Sequence, residues 1–291
     1  MRKLKDYVQF AKLRLSSLVV FSAAISYLTV SQPPTLSQPH DLHKLLWLVI
    51  GGFLITASSN GFNQILERET DKLMTRTMDR PLPKGRMSVS EGVVLASLLG
   101  LTGLGLFLAF INILSALLGL LALLLYVLVY TPLKKKTPFA VFVGAFPGAI
   151  PPLLGCVAAT NGFGSITLQA CILYSIQFIW QFPHFWSIAW VLDDDYRRAG
   201  FKMLPSAGGR DRASAFQILI YTLFLLPISL SPVFFGMSGI VSAIVISACG
   251  LAFVYQAQKV FNQLTINYAR NLMFGSFAYL PLVQLAIMIG K

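Results

Sequence analysis

The sequence predicts an all-α, polytopic membrane helix bundle of about nine transmembrane helices, on three observations. Of its 291 residues, 56% are hydrophobic and only 12% charged, roughly half the charge of a soluble domain. The apolar residues come in runs of about eighteen or more, the length at which a helix crosses the hydrocarbon core. Finally, 21 of the 23 Lys and Arg fall in five segments: the N-terminus to Arg14, residues 68–86, 134–136 and 197–212, and the pair Lys259 and Arg270. Those segments are alternate ends of the apolar runs, as the positive-inside rule requires. Topology in a lipid bilayer thus accounts for most of the net charge of +12, and no nucleic-acid partner is needed to explain it. Cys156, Cys171 and Cys249 sit in apolar stretches with no C-x-x-C pair, which argues against a disulfide framework or a zinc site.

The elements follow in order. Met1-Arg-Lys-Leu-Lys precedes an apolar run too long for a signal peptide and without a small-x-small cleavage site, so it reads as a retained first span, about 14–31. A polar loop with Pro33, Pro34 and Pro39 leads to span two, about 43–64. Ser88-Val-Ser-Glu91 is a capping box, and it starts span three, which runs to about 110. A tight turn near Asn112 opens span four, about 113–130, and a short basic loop, Thr131–Pro138, closes it. Span five, about 139–157, holds Pro147, Pro151 and Pro152 and is expected to be kinked or broken near its middle. The neutral turn Thr160–Ser165 reads as external. Span six, about 166–190, is rich in aromatics, and a second long loop, 193–213, follows it. Spans seven to nine occupy about 214–235, 239–257 and 270–289. Residues 1–291 form one integral-membrane domain, with both long loops and the lysine loop on the cytoplasmic face.

The chemistry concentrates after span two. Ten charges crowd residues 67–86, and Asn63, Glu67 and Asp71 recur every four positions. That spacing stacks three oxygen donors on one helix face, a set suited to Mg²⁺, which is held by one or two carboxylates plus substrate phosphates. Arg76, Arg80, Lys84 and, from other loops, Lys134, Lys135 and Arg198 suit the phosphates. The two long loops resemble each other: acidic cluster, arginines, a Leu-Pro step, Gly85-Arg86 or Gly209-Arg210, then a helix start. Two acidic clusters and many cations on one face, above a large apolar bundle, point to a polyphosphate head on a long apolar tail, such as an isoprenyl diphosphate. Tyr174, Phe178, Phe182, Phe185, Trp186 and Trp190 could wall a dry pocket for an allylic cation.

The segment Asn63-x-x-x-Glu67-x-x-x-Asp71 with Arg76-Thr-x-x-Arg80-Pro resembles the first acidic motif of the UbiA superfamily of intramembrane prenyltransferases. Within it the chain is most similar to the family that farnesylates protoheme IX. That likeness rests on Tyr130-Thr131-x-Leu-Lys134-Lys135-x-Thr137, Gly148-Ala-x-Pro-Pro152, Pro183-His184-Phe-Trp186 and Asp194-Asp195-Tyr196-x-x-Ala-Gly200-x-x-Met-Leu-Pro205. The resemblance implies farnesyl transfer from farnesyl diphosphate to a vinyl group of protoheme IX (haem B), Mg²⁺-dependent, in a bacterial plasma membrane. It also implies possible haem-modifying or oxidase-assembly partners. Asn63, Glu67, Asp71 and Asp195 would hold metal, with Asp194 and Tyr130 also catalytic and the basic residues above clamping diphosphate. The chain departs from the superfamily in having Glu67 where Asp is usual, and the second cluster lacks D-x-x-x-D. His184, an imidazole within a span, is costly unless paired, so haem ligation and a hydrogen-bonded core role are both open. His40 and His43 fall in the first external loop. A transporter for an anionic solute is the competing class, but its ionisable residues would sit near mid-span; here they crowd one interface. A sister enzyme acting on a quinone or chlorophyll precursor is the nearer alternative.

Overall fold

Side-chain caps fix where several spans begin. Ser88 accepts from Glu91 N while Glu91 reaches back to Ser88 N; Asn112, Thr167 and Asp211 accept from Ser115, Ala170 and Ser214 N. Each cap satisfies a backbone donor that an apolar helix would otherwise leave orphaned. The computed structural model describes residues 2–31 and 39–290, the side chains of residues 2 and 39–41 excepted. Its helices are α1 (Arg2–Ala11), α2 (Leu13–Val30), α3 (Pro39–Leu66), α4 (Val89–Phe110), α5 (Ile113–Leu133) and α6 (Ala140–Ala158), followed by α7 (Leu168–Val191), α8 (Asp193–Arg198), α9 (Arg212–Phe234), α10 (Ile240–Gln263) and α11 (Ile266–Ile289). Among the described residues there is no strand. The polar segment around Pro33 and Pro34 lies outside the described residues.

Eight of these helices are long and apolar enough to cross a membrane. The ninth long one, α7, spans 24 residues but carries Gln169, Gln177, Gln181, Pro183 and His184, which dilute its hydropathy. Of these, the polar side chains of Gln177, Gln181 and His184 are buried, so α7 is a central helix whose polarity faces protein. Serine and glutamine pegs tie it to its neighbours. Ser22 Oγ donates to Gln177 Oε1 at 2.6 Å and Gln284 Nε2 donates to Ser22 Oγ at 2.7 Å, joining α2, α7 and α11.

Span five was expected to be kinked or broken, and it is not broken: α6 is one continuous helix of 19 residues. Pro152 cannot donate to the Gly148 carbonyl, the usual partner four residues back; Gln177 Nε2 donates to it instead at 2.7 Å. Gln181 Nε2 adds a second tie between the two helices, donating to Ala145 O at 3.0 Å. A neighbouring helix re-satisfies what the proline frees. Three further corrections concern boundaries. The last part of α5, Leu125–Tyr130, is a π-helical turn, a form common at functional sites. Helices α10 and α11 extend several residues beyond the expected spans at the end they share. His43 belongs to α3, where its Nε2 accepts from Trp47 Nε1 at 2.8 Å, so it is not a loop residue.

Close approach fixes the α2–α6 contact. A Cβ at Gly155 would fall inside contact distance of the Ala23 carbonyl oxygen, which is backbone and cannot swing aside. Gly155→Ala is therefore expected to destabilise the bundle by about 1–3 kcal/mol, the cost of overpacking. A lowered melting temperature in detergent reads this out; an unchanged one would mean that α2 and α6 can part freely.

Three loops meet on one face of the bundle: 67–88 after α3, 134–139 after α5, and 192–211 around α8. Helix α1 lies along that face. Arg86 Nε pairs with Asp6 at 2.8 Å, Lys3 Nζ with Glu91 at 3.0 Å, and Tyr7 donates to Glu91 at 2.7 Å. Between α1 and α2 stands Lys12 at φ 48°, ψ 56°, a left-handed conformation that costs a non-glycine residue roughly 1–3 kcal/mol.

Candidate active site

The four-residue spacing does stack its donors. Glu67 N donates to Asn63 O at 2.9 Å and Asp71 N to Glu67 O at 2.8 Å, so the helical ladder continues past Leu66 into the turn Arg68–Asp71. All three side chains are buried, Asp71 completely. Burying carboxylates at a membrane interface is costly unless each is paired, and each is. Arg80 Nη1 lies 2.7 Å from Asp71 Oδ2, and Lys134 Nζ lies 2.6 Å from Glu67 Oε1. Asn63 Nδ2 donates to Thr131 Oγ1 at 3.2 Å, which in turn donates to Tyr126 O.

Lys134 is the hub. Its Nζ stands over the Tyr130 ring at 4.8 Å and the Phe201 ring at 5.6 Å, and its carbonyl accepts from Lys202 N at 2.8 Å. Burial alone would push its ammonium down, but the Glu67 carboxylate outweighs this and holds it above the usual lysine value. Tyr130 is buried against Gly144 of α6.

The second loop closes over the first. Asp195 accepts from the backbone N of Thr75 and Arg76, each at 3.4 Å, and pairs with Arg198, whose Nη2 also donates to Thr75 Oγ1 at 2.9 Å. Burial works against ionisation of Asp195, yet Arg198 and those two amides hold its carboxyl below the ordinary range. Asp193 binds Arg197 at 2.8 Å, and Asp194 is turned to solvent beside Arg210 at 3.1 Å. Both loops end alike, on a left-handed glycine (Gly85 φ 67°, Gly209 φ 78°), an arginine and a side-chain helix cap.

Of the residues singled out from sequence, the structure gathers Asn63, Glu67, Asp71, Arg80, Tyr130 and Lys134 in one buried cluster, with Asp195, Arg198 and the Arg76 amide at its rim. It leaves Lys84 exposed and paired with Asp79 at 3.1 Å, Lys135 exposed, and Asp194 outside. His184 lies deeper, stacked on Trp180 at 4.2 Å, with Nδ1 2.7 Å from Ser276 Oγ. Ser276 Oγ also lies 2.6 Å from Met273 O, so the His184 imidazole ends a buried hydrogen-bonded chain. Phe142, Phe146, Tyr174, Phe178, Phe182, Trp186 and Tyr221 form a run of ring contacts across α6, α7 and α9. Phe185 packs against His184 instead, and Trp190 is fully buried.

One residue was missed. The Lys12 ammonium is pushed down to about 7 by burial, then by the charges of Arg80 and Lys134, with Glu67 and Asp71 opposing. The signal in the sequence was slight: a lysine between a short amphipathic stretch and the first span.

Among the described residues no three His, Cys, Asp or Glu side chains converge as a ready-made metal centre. The donor set nonetheless fits a hard cation. Asp71 Oδ1 is buried with no hydrogen-bond partner, an orphaned oxygen of the kind Mg²⁺ takes, the rest of its shell coming from water and phosphate.

The UbiA prenyltransferase family model matches residues 19–278. The protoheme IX farnesyltransferase of Cytophaga hutchinsonii is 44% identical over 98% of this chain and 97% of its own. The enzyme of the same name from Christiangramia forsetii is 45% identical over 99% and 94%. Among solved structures, a digeranylgeranylglyceryl phosphate synthase superposes with a TM-score of 0.80 at 22% identity, covering 100% of this chain and 99% of that one. A UbiA homologue from Archaeoglobus fulgidus bound to GPP and Mg²⁺ gives 0.73 at 17%, covering 98% and 100%.

Proposed function

The chain belongs to the UbiA prenyltransferase family, and from that premise we propose that it transfers the farnesyl group of farnesyl diphosphate to a vinyl group of protoheme IX. The observation that carries the reading is the cluster itself: a column of Asn63, Glu67 and Asp71 set against Lys134 and Arg80, in a chain about 44% identical to named protoheme IX farnesyltransferases.

Asn63, Glu67, Asp71 and Asp195 would hold Mg²⁺, which when bound neutralises diphosphate charge and helps it leave. The chain's own cations do the rest of that task. Arg80 and Lys134, with Arg76 and Arg198 at the rim, are placed to hold the diphosphate oxygens as the C1–O bond breaks and its electron pair departs with them. The vinyl π electrons then attack C1; water adds to the cation left beside the porphyrin and loses a proton. The rings of Phe142, Phe146, Phe178 and Phe182 exclude water from the farnesyl cation before that attack. The basic loops, read by the positive-inside rule, support a cytoplasmic site in a bacterial plasma membrane.

The test is direct. Proteoliposomes given haem B, farnesyl diphosphate and Mg²⁺ should yield a porphyrin heavier by one farnesyl group and one hydroxyl. No farnesylated haem, with prenylation of another acceptor, would move the chain elsewhere in its family. We further propose His184, an imidazole within a span, as a ligand for the haem iron. Replacing His184 with Ala should shift the Soret band of haem bound to purified protein; an identical spectrum removes the assignment.

A further inference from the structure

We propose that Lys12 contacts the diphosphate of the substrate, as a clamp residue delivered by the left-handed break between α1 and α2. The proposal rests on the prenyl-diphosphate reading above and deepens it. The charge pattern of the cluster is the first argument. Glu67 is matched by Lys134 and Asp71 by Arg80, whereas Lys12, among the described residues, makes no ion pair. It still lies within the electrostatic reach of all four. Half-buried and with its ammonium held down to about 7, Lys12 when protonated is one cation more than Glu67 and Asp71 require, and an incoming anion favours that protonation and displaces no existing partner.

The second argument is the backbone. A lysine gains nothing from left-handed geometry, which belongs to glycine and asparagine, and such outliers persist where the surroundings hold them. Here the helix that carries the metal-binding column does the holding. Gln64 Nε2 donates to Phe10 O at 2.6 Å, Asn60 Nδ2 to Ser16 Oγ at 3.4 Å, and Ser16 Oγ to Ala11 O at 3.0 Å. Phe10 is fully buried against Gly61, where a Cβ would collide with its ring. Asn60 and Gln64 alternate with Asn63 and Glu67 on one helix, so the element that presents the carboxylates also sets the break that presents Lys12.

The test uses the full chain in nanodiscs, with Lys12→Gln, Lys12→Gly and Lys12→Arg. Gln and Gly should each raise KM for farnesyl diphosphate roughly tenfold, the order expected of one charge-assisted hydrogen bond, and leave KM for haem within about twofold. Both should also shrink the rise in melting temperature that inorganic diphosphate with Mg²⁺ induces, and Arg should restore most of each loss. A purely conformational role predicts the opposite ranking, with Gly at least as good as wild type because it relaxes the backbone; that result overturns the proposal. So does an unchanged diphosphate KM and melting shift in Lys12→Gln. If the wild type makes no farnesylated haem, the acceptor assignment fails, and the diphosphate shift still decides Lys12.

Discussion

Asp71→Asn will lower farnesyl transfer about a thousandfold, because the substitution keeps the shape of the side chain and removes its charge. Loss of a group holding a catalytic cation forfeits several kcal/mol of transition-state stabilisation, and each 1.4 kcal/mol or so is a factor of ten. The proposed function gives Asp71 two tasks, one for each oxygen: Oδ2 holds Arg80 at 2.7 Å, and Oδ1, buried without a partner, would meet the cation. Asparagine offers one acceptor to Arg80 and one NH₂, which a cation repels. Initial rates of porphyrin farnesylation measure the effect, and a diphosphate-with-Mg²⁺ melting shift measures binding without turnover. Stability will fall too, since Arg80 is left with an uncompensated charge, side chain only 13% exposed. Gel filtration and melting of the unliganded variant separate the two losses. A variant that turns over at the wild-type rate, folded and at ordinary Mg²⁺, would remove Asp71 from the metal site.

How much of this was legible in the sequence differs by residue. The column Asn63, Glu67 and Asp71 was readable because its spacing is a property of one helix, and the ladder simply continues through the turn at Arg68–Asp71. The capping box at Ser88 was readable for the same reason. The expectation of a break in span five failed because proline rules are local, whereas the carbonyl that Pro152 frees is taken by Gln177 of another helix, which Gln181 also ties to α6. Their role also explains why α7 looked weakly apolar: polar side chains that pay for a neighbour's missing hydrogen bonds count against a span on composition. The partners of the carboxylates could not be assigned either, since Glu67 meets Lys134 from a loop 67 positions on. Lys12 was hidden for a different reason. Its significance lies in a backbone conformation and in a charge balance, and no motif records either.

That charge balance can be tested at its centre. Lys134→Met should lower kcat/KM by about 10²–10³, the range seen when one preorganised charge-stabilising donor is removed. It should also destabilise the fold by about 3–5 kcal/mol, since Glu67, only 8% exposed along its side chain, would be left charged and alone. Glu67→Gln alone should cost stability less than Lys134→Met, because the glutamine carbonyl still accepts from Lys134. The informative variant is the double one. If the pair is a coupled unit, Glu67→Gln with Lys134→Met will be more stable than the sum of the single losses predicts, since no lone charge remains buried. Its activity will not recover, because neither a metal-holding carboxylate nor a phosphate-holding ammonium has been restored. Stability and activity thus part company along one ion pair. Purely additive stability losses would mean that Glu67 and Lys134 do not share a dry site, and recovered activity would mean that neither touches the diphosphate. On the proposed reading the ion pair is a resting arrangement: Lys134 and Arg80 hold two buried carboxylates in place, and substrate phosphate would compete for those cations and free the carboxylate oxygens for Mg²⁺.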